Sequence, residues 1–135
     1  MSNEIIKQLR TEAEQASKLA YSPYSTAKIG AAVLTKNGKI YSGCNIENSS
    51  YGGTVCAERV AMWKAVSEGH TTFTKIYVFS KDGWPPCGMC RQVMSEFASP
   101  DMDVIIGDGA GKETVMKFKE IMPLAFTPDK LDDVR

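Results

Sequence analysis

Hydrophobic residues recur at three- and four-residue steps near the start of the chain, a spacing typical of one face of an amphipathic helix. The residues in this pattern are Ile5, Ile6, Leu9, Ala13, Ala16 and Ala20. The helix is expected to end near Tyr21, because the Ser22-Pro23 step disfavours helical continuation. Two strands are then predicted over residues 28–35 and 39–45, since Asn37-Gly38 between them is a preferred sequence for a tight hairpin turn.

Helices and strands alternate through the rest of the chain. Helices are predicted over residues 56–68 and 88–98 and just before Pro123, and strands over residues 75–80 and 103–107 and around Thr114. The expected buried positions of the first of these helices are Val60, Trp63, Ala65 and Val66. This order predicts a layered α/β domain, in which helices cover the faces of one sheet of about five strands that begins with the hairpin.

The composition is that of an ordinary globular protein. A length of 135 residues predicts one domain over residues 1–135, and 43% hydrophobic with 24% charged residues excludes wholesale disorder. Sixteen basic and sixteen acidic residues give a net charge of zero, which argues against nucleic acid as a partner and against a basic membrane-surface helix. No apolar run approaches the ~20 residues that span a bilayer, and the first residues lack the pattern of a signal peptide. We therefore expect a cytoplasmic protein without a membrane partner.

Four cysteines stand at positions 44, 56, 87 and 90, and three of them have the spacing of a zinc site. In a reducing compartment such cysteines indicate metal binding or catalysis before disulfides. Cys87 and Cys90 form a C-x-x-C step, and Cys56 lies 31 positions before it. Both groups fall at predicted helix starts, where free N–H groups favour thiolates. Three ligands predict a zinc ion with a fourth position left for water, as in catalytic sites.

Glu58 and Arg59 follow directly in the first turn of the predicted helix. Three thiolates leave the zinc site with a net charge of about −1, so the metal is a weaker acidifier of water than one bound by three histidines. Such a site needs a nearby base, and Glu58 suits that catalytic role. Arg59 is expected to donate hydrogen bonds to the thiolates and offset their charge.

Other interpretations of the cysteines remain open. Cys44 is expected to be a small buried strand residue, but it could also close a purely structural zinc site as a fourth ligand. The C-x-x-C step is also found in thioredoxin-type redox pairs. Neither a closed zinc site nor a redox pair needs the acid at Glu58.

The zinc-site residues resemble those of a known family. The chain reads C-A-E-R at 56–59 and P-C-G-M-C-R-Q at 86–92, which fits the C-x-E and P-C-x-x-C pattern of zinc deaminases and is similar to the small cytidine deaminases. Further similar segments follow in the family's order: Tyr24-Ser25, G-A-A at 30–32, G-C-N-I-E-N at 43–48, S-Y-G at 50–52 and P-L-A-F at 123–126. The resemblance implies a three-layer α/β/α fold, with a mixed sheet of about five strands and helices on both faces.

The resemblance also implies an activity. Members of this family hydrolyse cytidine and 2′-deoxycytidine to uridine and 2′-deoxyuridine with release of ammonia, a reaction of pyrimidine salvage. It implies one Zn²⁺ per subunit on Cys56, Cys87 and Cys90, with Glu58 carrying protons between water, the ring and the leaving amine. A nucleic-acid-editing deaminase and a noncatalytic zinc module are the competing classes, and the zero net charge argues against the first.

The implied substrate contacts come from three residues. Asn45 and Glu47 match residues that bind the ribose hydroxyls, and on a strand their side chains would point to the same side. Phe126 matches an aromatic residue that stacks on the base of a neighbouring subunit's substrate, which implies a homotetramer with composite active sites.

Ala27 departs from the family pattern, which usually has Phe at this position. Loss of the aromatic contact predicts a roomier pocket and weaker stacking on the base, by ~1 kcal/mol or more. An alternative function is therefore deamination of a modified cytosine nucleoside, such as blasticidin S or a cytidine substituted at N4 or C5. The branch that acts on blasticidin S lacks the Asn-x-Glu-Asn pattern and the Arg after the catalytic Glu, and both are present here.

Overall fold

Helices and strands alternate in the computed structural model, which describes residues 2–132 and 134. Its helices are α1 (Ser2–Ser17), α2 (Ala57–Ser67), α3 (Gly88–Phe97) and α4 (Phe118–Ile121). Its strands are β1 (Gly30–Thr35), β2 (Ile40–Cys44), β3 (Phe73–Phe79), β4 (Ala98–Gly107) and β5 (Glu113–Lys117). Two short 3₁₀ turns cover Tyr51–Gly53 and Pro128–Leu131.

The five strands form one mixed sheet in the order β2-β1-β3-β4-β5. Strands β1 and β2 form the predicted hairpin, with Leu34 opposite Ile40 and Gly38 at a φ of 86°, a value that glycine adopts without strain. Strands β3 and β4 are parallel, whereas the other neighbouring pairs are antiparallel. Helix α3 makes the crossover that this parallel pair requires.

Helices cover both faces of the sheet, because residues along each strand point alternately to opposite faces. Leu9 and Ala13 of α1 pack with Ala32, Tyr77 and Ile105 on one face. The opposite face carries the larger core, formed with buried residues of α2, α3 and α4 such as Ala61, Met62, Met94 and Phe118. The three-layer α/β/α architecture is thus confirmed.

Helix α2 lies unusually close to the hairpin because a glycine faces it. A Cβ atom on Gly43 would come within 2.6 Å of the Ala61 backbone nitrogen and 2.8 Å of the Val60 Cβ. Any side chain at this position would therefore push α2 away from β2. The close contact holds the first turn of α2 beside the segment that leaves β2.

Several local predictions were wrong. Helix α1 ends at Ser17 rather than near Tyr21, since turn hydrogen bonds from Leu19 and Ala20 to Ala16 and Ser17 already redirect the chain. Strand β4 begins at Ala98, five residues earlier than predicted, directly after α3. Trp63 is 47% exposed, because α2 turns its small side chains toward the sheet and buries Ala57, Ala61, Met62 and Ala65.

The segment after β2 also differs from the prediction. Strand β2 ends at Cys44, so Asn45 and Glu47 lie beyond it, on either side of Ile46. Ile46 is held by isolated bridges to Tyr21 and Val55. No helix in the described part of the chain is long and apolar enough to cross a bilayer.

Candidate active site

Two helix starts bring three cysteine sulfurs together. Cys56 is the residue before α2, Cys87 the residue before α3, and Cys90 lies in the first turn of α3. Their Sγ atoms all lie within 4.8 Å of one another, and those of Cys56 and Cys87 are 3.7 Å apart. Tetrahedral zinc with Zn–S bonds of about 2.3 Å places two sulfurs about 3.8 Å apart. The donor set and its spacing therefore fit zinc, and half-buried Cys44 is not part of the group.

Hydrogen bonds within the cluster favour a thiolate at Cys56. The Cys90 thiol and then the Arg59 guanidinium donate to its sulfur and lower the pKa of Cys56 to about 5. Arg59 Nη2 lies 3.5 Å from Cys56 Sγ, and Arg59 Nη1 lies 3.0 Å from Met89 Sδ. The guanidinium also sits 5.8 Å from the centre of the Trp63 ring. The arginine thus lies where it offsets the negative charge of the sulfurs.

Glu58 is buried beside the sulfur cluster. It lies in the first turn of α2, is 4% exposed and lines a cavity that also touches Cys56 and Cys87. Burial, reinforced by the negative charge of Cys56, raises the pKa of Glu58 to about 7. A carboxyl group with a pKa near neutrality is suited both to accept and to return a proton.

The cavity beside Glu58 has a volume of about 340 Å³, at the lower end of the range of about 300–1,000 Å³ found for small-molecule sites. Asn45 and Glu47 line the same cavity. The cavity therefore brings Glu58 together with the sulfurs of Cys56 and Cys87. It also contains the two candidate substrate-binding residues, Asn45 and Glu47.

Asn45 is buried and links the cavity wall to the start of β1. Its Nδ2 donates to the Ala27 carbonyl at 2.9 Å, and its Oδ1 accepts from the Ile29 amide at 2.9 Å. An amide group has a further donor and a further lone pair. Asn45 can therefore hold residues 27–29 in place and still contact a ligand.

Glu47 is held by the loop that follows α1. Its carboxylate accepts hydrogen bonds from the amides of Tyr24 (3.0 Å) and Ser25 (3.1 Å) and from the Ser25 hydroxyl. These bonds, with the Ser25 hydroxyl contributing most, hold the pKa of Glu47 below its usual range. Glu47 is thus an oriented, ionised acceptor. Nothing in the local sequence around Glu47 indicates Ser25, which lies 22 positions earlier.

Phe126 is not brought to this cavity within its own chain. Its side chain is 57% exposed, and its carbonyl oxygen accepts from Gln92 Nε2 at 2.9 Å and from Ser95 Oγ at 3.3 Å. The backbone at Phe126 is therefore fixed against α3, while the ring faces outward.

Two further residues shape the site and were missed by the sequence analysis. Arg91 donates to the Pro86 carbonyl and to the Ile121 carbonyl, both at 2.8 Å, and so ties the loop before Cys87 to α4. Arg91 directly follows Cys90, just as Arg59 directly follows Glu58, and this position next to a predicted site residue could have identified it. Trp84 lines the cavity from the same loop, and no periodicity marks it.

Comparison with known proteins gives the family of this chain. The cytidine and deoxycytidylate deaminase zinc-binding region matches residues 3–107. The chain belongs to this family. A cytidine deaminase from Halalkalibacterium halodurans is 46% identical over 124 residues, which cover 90% of this chain and 94% of that protein. One from Sporosarcina psychrophila is 41% identical over 128 residues, covering 93% and 94% of the two chains.

Solved deaminase structures share the fold. The crystal structure of cytidine deaminase from Burkholderia pseudomallei has a TM-score of 0.85 at 40% identity and covers 89% of this chain and 98% of its own. A blasticidin-S deaminase from Bacillus cereus is also similar, at 38% identity over 109 residues that cover 73% of this chain and 76% of that protein. Zinc binding by the three cysteines follows from the family together with the sulfur geometry.

Proposed function

We propose that this protein is a zinc-dependent deaminase that converts cytidine and 2′-deoxycytidine, with one water molecule, to the corresponding uridine and ammonia. The observation that carries the proposal is the buried Glu58 carboxyl in one cavity with the cysteine cluster and with Asn45 and Glu47. Relatives named cytidine deaminase over nearly the whole chain support it.

Cys56, Cys87 and Cys90 would hold one zinc ion per subunit. Bound zinc supplies Lewis-acid chemistry that makes a water molecule nucleophilic at neutral pH. Arg59 donates to the Cys56 sulfur and reduces the excess negative charge of three thiolates. Met89 beside Arg59 keeps the guanidinium in that position.

Glu58 carries the protons of the reaction. Its carboxylate takes one proton from the attacking water and delivers it to N3 of the cytosine ring as the C4–O bond forms. It then transfers the remaining hydroxyl proton to the amine, so that ammonia leaves and the C4 carbonyl forms as the C4–N bond breaks. One group acting as base and then as acid requires a pKa near the working pH, and burial provides this at Glu58.

Asn45 and Glu47 would bind the sugar. The ionised carboxylate accepts hydrogen bonds from the sugar hydroxyl groups, and the amide can donate to them or accept from them. A free base has no hydroxyl groups and leaves both side chains without these partners. We therefore expect cytosine itself to be a poor substrate compared with cytidine.

Release of uridine and ammonia from cytidine tests the proposal, with a Glu58→Gln variant as the matched control. We expect Glu58→Gln to lower kcat by a factor of about 10³ or more while zinc content stays near one per chain, because the amide keeps the shape but accepts no proton. Retained turnover in this variant would contradict the role of Glu58. Faster deamination of a cytosine-containing oligonucleotide than of cytidine would indicate a nucleic-acid-editing enzyme instead, and zinc binding without turnover a noncatalytic module.

We also propose a pathway, a cellular compartment and an oligomeric state for the enzyme. We place the reaction in pyrimidine salvage in the cytoplasm, in a homotetramer of single-domain chains (residues 1–135) in which Phe126 reaches a neighbouring subunit's substrate. The outward-facing Phe126 ring supports this arrangement. Mass measurement in solution and a subunit-mixing experiment test it.

A further inference from the structure

A second cavity adjoins the proposed nucleoside cavity. It has a volume of about 460 Å³, and it shares four lining residues with the first cavity: Ser25, Ala27, Ile29 and Trp84. The side chain of Ala27 is a single methyl group, so it blocks little of the space between the two. A ligand in the first cavity can therefore extend into the second.

We place the second cavity on the base side of a bound nucleoside, because Trp84 lines it and neither Asn45 nor Glu47 does. Ser25, which donates to the Glu47 carboxylate, is the one shared residue on the sugar side. Glu47 and Thr54 line a third cavity together with Tyr24 and Tyr51, which gives the sugar-binding side an opening of its own. The second cavity instead shares Trp84, which lies three residues before Cys87. A group that reaches it from the substrate would thus come from the ring that faces the zinc ligands.

The wall formed by Trp84 is held in a fixed place. The Trp84 amide donates to the Ser80 hydroxyl at 2.8 Å, and the Gly83 amide donates to the Ser80 carbonyl at 3.3 Å. Gly83 has a φ of 71°, which glycine adopts readily, and two prolines follow Trp84. The backbone that carries the indole is therefore fixed, and the half-exposed ring borders both cavities.

The rest of the second cavity is polar. Its other lining residues are Thr26, Lys28, Ser80, Lys81 and Asp82. Lys28 Nζ donates to the Ala20 carbonyl, whereas Lys81 Nζ has no hydrogen-bond or ion-pair partner among residues 2–132 and 134. Such a lining favours a ligand group that forms hydrogen bonds. Lys81 attracts a negative charge and Asp82 repels one, so the two together favour a polar group over an apolar one.

We propose that the second cavity is a subsite for a hydrophilic substituent at C5 of the cytosine ring, admitted because Ala27 leaves the passage open. This inference rests on the proposed nucleoside deamination and adds a class of substrate to it. The substituent itself does not react, since the bonds formed and broken remain at C4.

Two nucleosides with C5 substituents of similar size test the subsite. We expect kcat/KM for 5-hydroxymethylcytidine to lie within about tenfold of that for cytidine and at least tenfold above that for 5-ethylcytidine. A preference for 5-ethylcytidine, or exclusion of both analogues while cytidine is deaminated, would overturn the subsite but not the proposed function. Preferred turnover of cytidine 5′-monophosphate would also overturn it, because the extension would then leave from the sugar.

Substitutions of Ala27 and Lys81 test whether these two residues determine the preference for C5-substituted substrates. Ala27→Phe fills the passage. We therefore expect the kcat/KM for 5-hydroxymethylcytidine, divided by that for cytidine, to fall at least tenfold in this variant. In Ala27→Gly the passage stays open, and this ratio should not change. Lys81→Ala is expected to lower kcat/KM for 5-carboxycytidine about fivefold without changing that for cytidine, and Lys39→Ala on the distant hairpin to change neither. An unchanged ratio in Ala27→Phe would contradict the passage.

Measuring nucleoside binding, rather than turnover, tests the subsite even if the proposed deaminase activity is wrong. The chain has two tryptophans, so Trp63→Phe leaves Trp84 as the only indole fluorophore. If no nucleoside is deaminated, tighter binding of 5-hydroxymethylcytidine than of 5-ethylcytidine, reported by Trp84 fluorescence and lost in Ala27→Phe, would still support the subsite. Equal binding of the two would overturn it.

Discussion

Arg59 places one positive charge against the sulfur cluster. It contacts Cys56 Sγ, Met89 Sδ and the Trp63 ring, so three neighbours fix one guanidinium. The sequence analysis predicted its bond to the thiolates from its position after Glu58. It did not predict Trp63 as a partner, because hydrophobicity places a tryptophan in the core, and only the packing of α2 shows that this ring lies outside.

We predict that Arg59→Ala weakens zinc binding by a factor of about 10, since residues that hydrogen-bond to metal ligands typically contribute 10- to 100-fold to affinity. Competition with a chromogenic chelator measures the change. Trp63→Phe is the matched control, because it keeps the guanidinium on the sulfur. An unchanged zinc affinity in Arg59→Ala would mean that the arginine does not stabilise the thiolates.

Ser25 is a positioning residue for Glu47. Its hydroxyl and amide both donate to the carboxylate, so Ser25→Ala removes one of three oriented donors. We expect KM for cytidine to rise roughly five- to tenfold with little change in kcat, because the chemistry at C4 is untouched. Ser25→Thr, which restores a hydroxyl, should recover most of the loss. A fall in kcat alone would contradict this role.

The two helices that place the cysteines were predictable from the sequence pattern, whereas Asn45 and Glu47 were wrongly expected on a strand, which ends at Cys44. The patterns at 56–68 and 88–98 put Cys56 and Cys87 at helix starts, and this is what brings their sulfurs together. The contacts of Ser25 with Glu47 and of Arg91 with Ile121 could not be predicted, since they join segments 22 and 30 positions apart and depend on the packed structure. Hydrophobic periodicity reports only on neighbouring residues of one helix or strand. These contacts depend instead on how closely α2 and the loops approach the sheet.

Asp103 of β4 joins three adjacent strands. It accepts hydrogen bonds from Lys75 of β3 at 2.6 Å and from Lys117 of β5 at 2.7 Å. Burial acts in the opposite direction, but these two bonds hold the pKa of the Asp103 carboxyl below its usual range. A carboxyl whose pKa is depressed by folding stabilises the protein above its unfolded pKa, and this contribution is lost as pH falls through the folded pKa.

We therefore predict that Asp103→Asn lowers the free energy of unfolding at pH 7 by about 0.5–1 kcal/mol, a modest value because solvent screens the pairs in part. The difference from the parent protein should shrink as pH falls below about 4, where the parent's carboxyl is protonated. Urea unfolding at several pH values measures both. The exposed Asp101→Asn change is the control, and a difference that does not depend on pH would contradict the electrostatic explanation.

The proposed homotetramer would cover large apolar side chains that a single chain leaves exposed. Tyr51, Met89, Leu124 and Phe126 are all more than half exposed, although large apolar side chains are costly to leave in water. Tyr51 lines the cavity next to Glu47, so apolar exposure occurs at the site itself. An approaching subunit would cover such residues and complete the cavity wall.

A mixture of two defective chains tests whether the active site is shared. Phe126→Ala should lower kcat/KM for cytidine about tenfold through lost stacking, and Glu58→Gln should be almost inactive. In a co-refolded mixture, some sites pair an intact Glu58 with a neighbour's intact Phe126, so activity per Glu58-bearing chain should rise above that of Phe126→Ala alone. Light scattering should give a mass near four times 14.8 kDa. Activity that stays at the proportional average would mean that Phe126 serves only its own chain, or packs without contacting substrate.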